Sequence, residues 1–140
     1  MTVAKSLVVG EARGCLVVCQ AREAAADDEW DQYMEAMARH VEATAKPRVL
    51  VITAGGSPTP EQRKRLELII HPHLARIKFA IVTDSTFARG VVKAIRLFYP
   101  FCQAFALKEM DEALRFLDLR SVDILEVTRH AEELRASLSR

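Results

Sequence analysis

Gly55, Gly56, Ser57 and Thr59 lie between the apolar run Val49-Leu50-Val51-Ile52 and a charged stretch that opens at Glu61. A glycine turn between a strand and a helix lets a phosphate or a partner's backbone approach closely. Free N–H groups at a helix start attract anions. Ser57 and Thr59 also offer hydroxyls for phosphorylation, and added charge there would meet the helix N-terminus. The Gly-Lys-Ser/Thr ending of a nucleotide loop and the Gly-x-Gly-x-x-Gly fingerprint are both missing. Asp84, Ser85 and Arg89 follow the apolar run Phe79 to Val82. If the two runs are neighbouring parallel strands, these residues and Thr53 open on the edge that carries the glycine turn. Arg89 could then pair with a phosphate or carboxylate. Each residue has a plainer role too: Ser57 or Thr59 caps one helix, and Asp84 or Ser85 caps the next.

Other reactive residue types do not assemble into a signature. His71 and His73 flank Pro72 without the further ligands a metal needs. Cys15, Cys19 and Cys102 are an odd number set in apolar runs, which reads as reduced core. Cys15 and Cys19 are about 13 Å apart on a straight strand and cannot bridge. Arg63-Lys64-Arg65 reads as a solvated helix face. No Ser-His-Asp order or Cys-His pair stands out. The expectation is a protein that is not an enzyme and that uses no cofactor or metal.

The 140 residues suit one core, and the net charge of +1 gives no field to draw nucleic acid. The apolar runs are shorter than a bilayer span, and no signal-like segment opens the chain, so a cytoplasmic location is expected.

The elements that must position these residues follow from periodicity. Ser6–Gly10 and Cys15–Gln20 read as a hairpin, with Cys15, Val17 and Cys19 on one face and Leu16 and Val18 on the other. The second strand is apolar on both faces and belongs inside a sheet. Asp27 or Asp28 caps a helix whose stripe is Trp30, Tyr33, Met34, Met37, Ala38, Val41 and Ala45, and Pro47 stops it. Arg39, His40 and Lys46 sit late in it, where cations suit the dipole. A strand over Arg48–Thr53 precedes a helix from Pro60 to Leu74 with Leu66, Ile69, Ile70, His73, Leu74 and Ile77 inward. Next come a strand at Phe79–Thr83 and a helix at Phe87–Phe98 with Phe87, Val91, Ala94, Ile95 and Phe98 inward. A strand at Phe101–Leu107, a helix at Met110–Leu117 and a tail helix at Ser121–Arg140 complete the chain. The tail seam is Ile124, Val127, Ala131, Leu134 and Leu138, spaced like a short coiled coil.

This ββαβαβαβα order, with the stretch Phe79-Ala80-Ile81-Val82-Thr83-Asp84-Ser85 and then Arg89-Gly90-Val91-Val92-Lys93-Ala94, resembles the STAS domain, and within it the SpoIIAA-like group. The family includes the anti-sigma-factor antagonists and the tails of sulfate transporters. The resemblance covers Ser6 to Leu117. It implies an α/β mixed sheet with helices packed on it, residues 1–119, plus an extra C-terminal helix, residues 120–140. It also implies a non-enzymatic interaction or regulatory module. In the antagonists an Asp-Ser-Ser-Gly-like turn is phosphorylated at the start of the second helix. The matching place here is Gly55-Gly56-Ser57-Pro58-Thr59, which lacks the Asp and the second Ser. The expected partner is a protein, with a homodimer through the third helix or the C-terminal helix favoured. Neither nucleic acid nor a membrane span is expected. The alternative is a small-ligand or phosphate/nucleotide-binding protein that uses the crevice at Gly55, Gly56, Ser57, Asp84 and Ser85.

Overall fold

The computed structural model describes residues 5–96 and 99–138. These form β1 (Leu7–Ala12), β2 (Cys15–Gln20), α1 (Asp27–Ala43), β3 (Arg48–Thr53), α2 (Pro60–Ile70), β4 (Lys78–Val82), α3 (Thr86–Arg96), β5 (Cys102–Phe105), α4 (Met110–Phe116) and α5 (Ser121–Leu138). One mixed sheet runs β1-β2-β3-β4-β5, with β1 antiparallel to β2 and every other pair parallel. The chain is thus an α/β protein. Expectations for Leu97, Phe98 and Arg140, and for the side chains of Phe87 and Ile95, lie outside the described residues.

Arg13 and Gly14 make the hairpin turn with φ of 51° and 74°. Positive φ at both positions is the primed turn that matches strand twist. β2 then lies between β1 and β3, and all its residues are buried. Its alternation divides two cores. Cys15, Val17 and Cys19 join Leu50, Ile52, Ala80, Val82 and Phe105 beneath α4 and α5. Leu16 and Val18 join Leu7, Val49 and Phe79 beneath Trp30, Tyr33, Met34, Met37 and Val41 of α1. This is the burial that near-continuous apolar strands require. The tail seam closes on the chain's own sheet. Ile124, Val127 and Ala131 of α5 are buried, and the helix lies against β1 and β2.

Three local expectations are corrected. The residue before α1 is Ala26, with no side-chain cap, so Asp27 and Asp28 lie in the first turn, where their charge suits the dipole. α2 ends short of Leu74, at the place Pro72 marks: His71 keeps helical φ and ψ of −50° and −46°, but Pro72 has no N–H to continue the ladder. The helix stops at Ile70 and a tight turn covers His71–His73. In α3, Val92 is buried, whereas Val91 is 43% exposed and Ala94 is exposed. That helix lies against the edge strand β5.

Candidate functional site

The C-terminal ends of the parallel strands share one edge. Gln20 pairs with Thr53, and the pairing of Ile52 with Val82 sets Thr83 beside Thr53. The alternation of the strands puts this polar row on the α1 side of the sheet. Gln20, Thr53 and Thr83 are 5%, 8% and 0% exposed.

The hydroxyl of Thr53 donates to the Gly56 carbonyl at 2.9 Å and accepts the Gly55 N–H at 3.1 Å. The Gly56 N–H donates to the Ala21 carbonyl at 3.0 Å, and Ala54 N–H to the Gln20 carbonyl at 2.9 Å. Both glycine N–H groups are therefore engaged inside the fold. Gly56 is there because nothing larger fits: a Cβ would stand 2.4 Å from the Ala21 oxygen and 2.5 Å from that of Glu23. Gly55 has a φ of 130°, a backbone that side chains resist.

Ser57 is exposed beyond this turn. Thr59 caps α2: its hydroxyl accepts from Gln62 N–H at 3.2 Å, and the Gln62 carbonyl oxygen returns to Thr59 N–H at 3.1 Å. The buried Gln62 amide also donates to the Ala25 carbonyl at 2.8 Å, tying α2 to the start of α1. Ser85 caps α3 by accepting from Ala88 N–H at 3.1 Å, and its own N–H donates to the Thr83 hydroxyl at 3.1 Å. Asp84 accepts the Leu107 N–H at 3.1 Å and so holds the β5–α4 connection. Arg89 is half-buried. The candidates thus fall into two bonded clusters, Thr53-Gly55-Gly56 and Thr83-Asp84-Ser85. No hydrogen bond joins the two among the described residues.

Burial pushes the Cys15 and Cys19 thiols up to about 12 and that of Cys102 to about 11. Such thiols carry little thiolate at neutral pH. His73 faces Arg76 and, at 4.0 Å, Glu42. No group of three metal-ligating side chains occurs among the described residues.

Two features were not read from the sequence. The first is His40, 2% exposed, whose Nε2 accepts the Arg48 N–H at 3.1 Å while Nδ1 faces Glu11 at 3.4 Å. From the last turn of α1, where the sequence puts it, it joins the helix to the start of β3. Its place late in an amphipathic helix gave no sign of this.

The second is the outer edge of β1, which pairs with no strand but β2 among the described residues. Ala21 N–H donates to the Ser6 carbonyl at 2.9 Å, so Ser6 and Ala21 are a bonded pair. In an antiparallel ladder such pairs alternate. With the β1–β2 register, the backbone groups of Leu7, Val9 and Glu11 therefore point away from β2. The Glu29 carboxylate covers one end. It accepts Ser6 N–H at 3.1 Å, the Ser6 hydroxyl, and Leu7 N–H at 3.4 Å. A groove of about 510 Å³ runs along this edge between Asp28, Glu29 and Gln32 of α1 and Leu134 and Ser137 of α5.

No helix of the described residues is long and apolar enough to cross a membrane. No family model matches the chain, and no curated protein matches it.

Proposed function

We propose that the chain is a non-enzymatic, STAS-like interaction module whose docking surface is the outer edge of β1 and the groove beside it. One observation carries this: Val9 and Glu11 present outward backbone N–H and C=O groups beside a groove flanked by α1 and α5. An open strand edge binds an added extended strand through main-chain bonds. At the other edge of the chemistry, the thiols are held in their neutral form, and Thr53, Thr59, Asp84 and Ser85 bond to the fold itself. The test is affinity capture with the native chain and with Val9→Pro, which removes one outward N–H while leaving the β1–β2 ladder bonded. Partners held by the native chain should be lost from the variant. Equal recovery by both would sink the proposal.

One observation favours a second reading, a small ligand at the C-terminal strand edge. Gln20 is buried there, and its Nε2 has no hydrogen-bond partner among the described residues. An unpaired buried donor is costly. A ligand carbonyl or phosphate oxygen reaching it would raise the melting temperature, and Gln20→Leu should abolish that shift.

A further inference from the structure

We infer that the strand that docks on β1 is the β1 of a second copy, antiparallel, with Val8 on the two-fold axis. This rests on the reading of the β1 edge as the docking surface and names its occupant. The chain from Lys5 to Glu11 is self-complementary in one register. With Val8 opposite the second copy's Val8, Leu7 stands opposite Val9 and Val9 opposite Leu7. Both carry outward backbone groups, so each pair exchanges N–H and C=O bonds in both directions. Lys5, exposed just before the bend at Ser6, lies at the end of this pairing that the second copy's exposed Glu11 approaches, so unlike charges meet at both ends.

Neighbouring registers lose this match. A shift one way sets Lys5 against Arg13 and Leu7 against Glu11. A shift the other way sets Lys5 against Val9. A shift by an odd number of residues opposes outward groups with inward ones. Charge and hydrogen bonding therefore select one pairing, and the two five-stranded sheets become continuous across it. Glu29 is compatible with this. Its contact with Leu7 N–H is the longest of its bonds, at 3.4 Å, and Ser6 retains the carboxylate when Leu7 N–H turns to a partner carbonyl. A C2 interface of this kind uses the same patch on both copies.

The test combines sedimentation equilibrium with site-directed cross-linking, each variant first checked by its circular dichroism melt. The native chain should be a dimer. Lys5→Glu, which touches neither His40 nor the core, should weaken the dimer about tenfold, since like charges then meet at both ends. Lys5→Glu with Glu11→Lys should restore it. Val8→Cys should form an intermolecular disulfide under mild oxidation, because facing residues of a non-bonded antiparallel pair have the close Cα spacing a disulfide needs. Ala12→Cys, far from the axis, should not. A native chain that stays monomeric, or a dimer in which Val8→Cys fails to cross-link, overturns the inference. The two readings separate on Val9→Pro. A monomeric chain that loses a captured partner through Val9→Pro keeps the docking edge and removes the second copy as occupant. A dimer indifferent to Val9→Pro removes both.

Discussion

Cys15 and Cys19 show how far one side chain's chemistry follows from its neighbours. Both are fully buried, and burial raises their thiols from an ordinary 9.0 to about 12. The folded state therefore holds its thiol protons more tightly than the unfolded chain. Their contribution to stability is complete below about pH 9 and is lost as pH rises through about 12. Urea unfolding should show stability flat from pH 7 to about 8.5 and falling above it, and native protein should resist iodoacetamide at pH 8 while urea-unfolded protein reacts fully. Rapid alkylation of all three thiols in the native state would contradict the burial. The alternation Cys15-Val17-Cys19 was legible because a strand has period two. His40 was not, because its role depends on Arg48 and Glu11, which reach it from two different strands.

Among the elements, α2 has the most legible start. Pro60 marks the first helical position, and of the two cap candidates, Ser57 and Thr59, the structure selects Thr59, which forms both bonds of a capping box with Gln62. Thr59→Ala should cost about 1 kcal/mol and lower the melting temperature by about 3–5 °C. Ser57→Ala, on an exposed hydroxyl, should change stability by less than about 0.5 kcal/mol. Calorimetry of the two variants decides this, and equal effects would refute the distinction. Phosphorylation of Thr59 should displace the Gln62 N–H from its acceptor, whereas the Ser57 hydroxyl makes no such bond among the described residues. The start of α1 was less legible. Two aspartates and a glutamate in a row suit a cap and a first turn equally well, and the choice fell to Ala26, whose N–H is held by the Ser6 hydroxyl.

For the whole molecule, α5 is the element whose role could not be assigned from its own pattern. Its seam of Ile124, Val127 and Ala131 could have met a second copy, but it packs over Cys19 and Leu50 in the same chain. Removing residues 121–140 would uncover that face. The truncated chain should lose cooperative urea unfolding and bind the dye ANS, as chains with exposed apolar surface do. Cooperative folding of residues 1–120 would show that the tail is dispensable. The amino-acid sequence by itself determined the order of strands and helices, the interior place of β2, the burial of Cys15 and Cys19 and the start of α2 at Pro60, because each depends on periodicity or on residues a few positions apart. Tertiary structure alone decided that the Gly55-Gly56 N–H groups turn inward, that α5 closes on the sheet, and that the outer edge of β1 lies beside Glu29. Those outcomes depend on which distant segments meet, and contacts between residues far apart leave no periodic trace in either segment.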